Sequence, residues 1–88
     1  MEPTESLIEY PSDFPIKVMG PTHVEFESTI VSLVLEYDPT FHAGKVEVRP
    51  SPKGNYTGLT VTVLATSRAQ LDDLYRALSA HPMVKIVM

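Results

Sequence analysis

The sequence predicts an α+β sandwich, a four-stranded antiparallel sheet with two helices on one face. Three observations predict it. Four segments alternate apolar and polar residues with the period of a strand, and two others carry apolar residues at helical spacing. Their order is β-α-β-β-α-β, and each β-α-β unit must cross over right-handed. The economical solution is the ferredoxin-like arrangement.

Met1–Ser12 holds two prolines and Glu2, Glu5 and Glu9, and reads as an acidic arm. Leu7, Ile8 and Tyr10 are suited to pin its second half to the domain, residues 13–88. Asp13–Met19 alternates: Phe14, Ile16 and Val18 take one face, Lys17 and Met19 the other. Pro15 near its start removes one ladder donor, and Gly20-Pro21 ends it. Thr22 with Glu25 fits a capping box, so a helix is expected over His23–Tyr37, carrying Phe26, Ile30, Leu33, Val34 and Tyr37 inward. Asp38-Pro39 stops it.

Lys45–Arg49 alternates strictly, with Val46 and Val48 inward. Pro50–Asn55 is a turn by composition. Tyr56–Ala65 follows as the second arm of a hairpin, with Gly58 as a bulge. Ser67 with Gln70 again fits a capping box, and Leu71, Leu74, Tyr75 and Leu78 form the stripe of a helix over Ser67–Ala80. His81-Pro82 breaks it. Met83–Met88 closes the sheet, with Val84, Ile86 and Met88 expected inward, Lys85 and Val87 outward.

Length bounds the chain to one domain with a modest core. Cysteine is absent, which removes disulfides, thiolate zinc sites and a cysteine nucleophile, and suits a reducing cytoplasm. The acidic N-terminus lacks the basic start of a secretory signal. No apolar run approaches the roughly 20 residues of a membrane span, so no membrane association is expected. Net charge is −4, from 11 acidic and 7 basic side chains, which disfavours broad nucleic-acid binding. Three of the acidic residues lie in the arm, so the folded part is close to neutral.

The stretches YPSDFPIKVMG (Tyr10–Gly20), SPKGNY (Ser51–Tyr56) and LYRALSAHPMVKIVM (Leu74–Met88) resemble the YbeD-like family of small bacterial proteins of uncharacterised function. The resemblance runs from about Leu7 to Met88. It implies the same fold, often compared with ACT-type regulatory domains; that family has no established catalytic residues to carry over. Gene neighbourhood in that family implies a link to lipoate metabolism.

Three places on the chain suit binding. The first is the open sheet face, where Lys17, Lys45, Arg49 and Lys85 surround Met19 and Leu64, with Glu47 the opposing charge. It suits an acidic or mixed protein partner, or a second copy as a homodimer, as well as it suits an ordinary solvated face. The second is the Lys53-Gly54-Asn55-Tyr56 turn, either an anion site or plain chain reversal. The third is the Gly20-Pro21-Thr22 junction, where free N–H groups would favour a small anionic ligand unless the cap uses them. RNA-recognition domains share the topology, but Thr60, Thr62, Leu64, Lys17 and Met19 stand where their stacking aromatics would be, and nucleic acid is not expected.

His23, His42 and His81 are scattered without metal-ligand spacing, no nucleophile elbow occurs, and no cofactor is implied. The expected function is a small non-enzymatic regulatory or adaptor domain working through its sheet face. The alternative is an ACT-like sensor of a small anionic metabolite.

Overall fold

The computed structural model describes residues 9–88. Residues 1–8 of the expected arm, with Glu2, Glu5, Leu7 and Ile8, lie outside the described residues. The chain forms strand β1 (Ser12–Pro21), helix α1 (Phe26–Leu35), a 3-10 turn (Ala43–Lys45), β2 (Val46–Pro50), β3 (Tyr56–Ala65), α2 (Arg68–Ala80) and β4 (Ile86–Val87). The sheet order is β2-β3-β1-β4, antiparallel throughout. This is the ferredoxin-like sandwich. No helix among the described residues is long and apolar enough to cross a membrane.

Pairing is regular from Ser12↔Ala65 to Pro21↔Tyr56 between β1 and β3. Ile16, Val18, Leu59, Val61 and Val63 share the inner face and are buried there. Phe26, Ile30 and Val34 of α1, and Leu71, Leu74 and Leu78 of α2, close over them. Each such side chain contributes about 1.5–3 kcal/mol by leaving water. α1 contains several β-branched residues, so this packing, rather than intrinsic propensity, holds it as a helix. Tyr10 packs against the same core.

Four sequence expectations are corrected. α1 begins at Phe26, and Thr22 does not cap it. The Thr22 amide donates to the Asn55 carbonyl at 3.0 Å, which continues the sheet past the expected cap position. At α2 the Ser67 hydroxyl does accept from the Gln70 amide at 3.0 Å, but the Gln70 side chain turns elsewhere, so only half a capping box forms. Gly58 is not a bulge; it pairs in register with Met19 and with Arg49. β4 is inverted relative to expectation. Val18↔Val87 and Met19↔Ile86 put Val87 inward and leave Ile86 47% exposed.

Edges follow from length. β2 overhangs the helical layer, so Val48 is 47% exposed although it pairs with buried Leu59. Lys17 exchanges backbone hydrogen bonds with Met88 (3.0 and 2.8 Å). By strand alternation Pro15 faces the same side two residues earlier, where β4 does not reach, so its missing N–H forfeits no ladder bond.

One buried polar lock ties the layers. Past Val46, β3 has no β2 partner, and the free Leu64 peptide is taken by side chains. Its N–H donates to Asp38 Oδ2 at 2.8 Å, and its carbonyl accepts from Gln70 Nε2 at 3.1 Å. Gln70 Nε2 also donates to the Tyr37 carbonyl (2.8 Å), and Gln70 Oε1 accepts from the Thr66 amide (2.7 Å). Asp38 Oδ1 accepts from the Thr40 amide and hydroxyl. Burial by itself raises the Asp38 pKa; hydrogen bonds from Leu64 and Thr40, with the Lys45 charge, outweigh it and hold the carboxyl below its ordinary 3.8.

Candidate functional site

The helices cover one face of the sheet and leave the other open. Register fixes what that face presents. One row across the strands reads Glu47, Thr60, Lys17, Met88; the next reads Arg49, Gly58, Met19, Ile86. Tyr56, two residues before Gly58 on β3, shares the face. A groove of about 630 Å³ lies over these rows, lined by Lys17, Met19, Arg49, Tyr56, Thr60 and Met88, with Pro50–Pro52 as one wall. Its polar rim is Lys17, Glu47 and Arg49. Arg49 and Glu47 pair at 3.2 Å with side chains 81% and 65% exposed, a weak surface contact.

Lys17, Met19 and Arg49 of the expected face thus meet in the groove. The other three do not. Lys45 sits in the 3-10 turn, where its charge acts on Asp38. Leu64 is on the open face but beyond the groove, paired with Asp13. Lys85 is exposed in the bend before β4, outside the paired register.

The two expected anion loops are joined to each other. Besides the Thr22–Asn55 backbone bond, the Thr22 and Thr57 hydroxyls lie 2.9 Å apart. Several donors that an anion would use are occupied. The Glu25 amide donates to His23 Nδ1 (3.0 Å), and the Phe26 amide to the His23 carbonyl (3.0 Å). Gly20 is buried, and a Cβ there would overlap the Met83 carbonyl oxygen and press on the Phe26 ring. In the other loop the Gly54 amide donates to the Ser51 carbonyl (3.0 Å) and the Tyr56 amide to the Ser51 hydroxyl (3.1 Å). Gly54 has φ +76°, the left-handed value that reverses the chain. Lys53, Gly54 and Asn55 are exposed, and only Tyr56 of this set reaches the groove.

His42 and His81 repeat the His23 pattern, each ring Nδ1 accepting from the amide two residues on (3.1 and 3.0 Å). The three rings shape turns. Among the described residues no group of three His, Asp or Glu side chains is arranged to hold a metal.

Sequence reasoning missed Gly58 as the groove floor, Pro50–Pro52 as its wall and Met88 as an outward residue. The strict alternation of β3 was the available signal for Gly58, since it places that residue on the Thr60–Thr62 face.

Comparison with known proteins settles the family. A family model described as "Protein of unknown function (DUF493)" matches residues 5–88. A UPF0250 protein of Janthinobacterium sp. (strain Marseille) is 67% identical over 88 residues, covering 100% of this chain and 97% of the relative. Another, from Ralstonia nicotianae, is 69% identical over 86 residues, covering 98% of this chain and 89% of the relative. The solution structure of protein HP0495 from H. pylori superposes with a TM-score of 0.77 at 17% identity, over 99% of this chain and 88% of that one, a likeness of fold. With a family model over nearly its whole length and relatives this similar, the chain belongs to the DUF493 (UPF0250) family, to which its YbeD-like stretches pointed.

Proposed function

We propose that this chain is a non-catalytic adaptor domain of the bacterial cytoplasm that docks a protein partner on its open sheet face. The groove carries the reading: it combines an apolar lining at Met19 and Met88 with Lys17 and Arg49 at its rim. Exposed Tyr56, Ile86 and Met88 extend the apolar surface around it. Apolar patches rimmed by charge are what partner surfaces look like on small soluble domains. Nothing elsewhere among the described residues assembles a nucleophile, a base and a stabiliser of developing charge. The metabolite-sensor alternative would draw on the Gly20 and Lys53 loops, where the Thr22, Gly54 and Tyr56 amides already serve the fold.

The test is site-specific photocrosslinking in the native bacterium. A photoreactive residue at Met19 should give a discrete adduct with a second protein, while one at Arg76 on the outer face of α2 should not. Adducts from Arg76 with none from Met19 would put the docking surface elsewhere.

A further inference from the structure

We infer that the hollow over Gly58 receives one apolar side chain of an extended, acidic segment of the partner protein. The inference rests on the docking reading above and names the chemistry of what docks.

Gly58 is a glycine that the fold does not require. Its φ lies outside the left-handed range. A Cβ built on it would meet only the Arg49 carbonyl oxygen, at 3.5 Å, an ordinary contact. Glycine inside a strand weakens the strand and commonly marks a place where a ligand or another backbone comes close. What the glycine produces here is space. It sits between Arg49 and Met19 in the same row, so the missing side chain opens the groove at its middle.

The surroundings specify the occupant. Met19 and Met88 present flexible, polarisable thioethers that adapt to an aliphatic or aromatic guest. Lys17 and Arg49 stand on strands separated by β3 and one row apart, about 12 Å from backbone to backbone: two strand spacings across and two residues along. An extended peptide spans that distance in about three to four residues. Carboxylates on either side of an apolar anchor therefore reach both cations. Glu47, the one acidic side chain among the described residues lining the groove, is held by Arg49 in an exposed pair that a partner carboxylate can displace. On a chain of net charge −4, this local excess of cations selects against basic segments.

Three peptides test it against the ¹⁵N-labelled full chain by NMR: Ac-EELEE-NH2, Ac-EEGEE-NH2 and Ac-KKLKK-NH2. The first should give saturable shifts at Lys17, Met19, Gly58 and Thr60, weakened by added salt. The second and third should bind about tenfold more weakly or worse. Gly58→Val, which fills the hollow, and Lys17→Glu should each weaken the first peptide by about tenfold. Unchanged amide shifts at Val61, Val63 and Leu74 report an intact core. Equal binding of the lysine peptide, indifference to the leucine or to Gly58→Val, or no saturable shift at millimolar peptide overturns the inference. So does a groove whose signals move on protein dilution alone, which makes the occupant a second copy. A Met19 crosslink that persists when the peptides fail leaves the docking reading standing and removes this one.

Discussion

The amide of Leu64 donates to the carboxylate of Asp38 across 26 residues of sequence, joining the segment after α1 to the central strand β3. Asp38 is 2% exposed, so this is a charged group held inside the fold by hydrogen bonds. Asp38→Ala would strand the Leu64 N–H and both Thr40 donors. A loss of about 2–4 kcal/mol is expected in urea unfolding at neutral pH. Asp38→Asn keeps one carbonyl acceptor and should lose less. A loss below 1 kcal/mol for the alanine variant would show that water replaces the carboxylate.

The same carboxyl sets an acid limb. Its folded pKa lies below the ordinary 3.8, so its stabilising contribution is complete above that value and is lost as pH falls through the folded one. Wild-type stability should therefore drop as pH falls below the ordinary 3.8, and Asp38→Asn should flatten that part of the profile. Parallel profiles for the two proteins would assign the acid sensitivity to other carboxylates.

Gln70 holds the other side of the Leu64 peptide. Gln70→Glu retains the size and the acceptor but cannot donate to the Tyr37 and Leu64 carbonyls, so it should be at least as damaging as Gln70→Ala, by about 1–3 kcal/mol. Since Asp38 and Gln70 grip one peptide unit, the double variant should fall short of the sum by about 0.5 kcal/mol or more. Strict additivity in denaturant melts would mean two independent contacts.

The two strand glycines should respond with opposite signs. Gly20→Ala drives a methyl into the Met83 carbonyl and the Phe26 ring and should cost about 1–3 kcal/mol. Gly58→Ala meets an ordinary contact and should gain about 0.5–1 kcal/mol by stiffening the unfolded chain. Paired thermal melts separate them; destabilisation by Gly58→Ala would mean that the sheet needs this glycine.

The two expected helix caps should also differ. Ser67→Ala should cost about 1 kcal/mol, because its hydroxyl caps α2. Thr22→Ala should cost a few tenths at most, because its hydroxyl meets only the exposed Thr57. Equal losses would return Thr22 to a capping role.

Element order, the hairpin and both helical stripes were legible because each rests on a local period with a clear winner. The closing strand was not. In Met83–Met88 both parities carry apolar residues, Val84, Ile86 and Met88 against Met83 and Val87, so alternation cannot choose a face. The choice is made by pairing with Val18 and Met19, a contact about 70 residues away in sequence. Thr22 misled for a related reason: its spacing to Glu25 fits a cap, but the Asn55 carbonyl accepts its amide and draws it into the sheet. The candidate groove was half legible. Lys17, Met19 and Arg49 are side chains and announce themselves; the floor is a missing side chain, and its significance appears only when the neighbouring strands are laid beside it.

Pro15 has a bearing on the life of the protein in a crowded cell. Among the described residues no strand pairs with β1 from Ser12 to Ile16 on the side away from β3. A strand arriving there from another molecule would meet a ring where it needs a donor. Edge-to-edge polymerisation into a ribbon therefore finds no template along that margin.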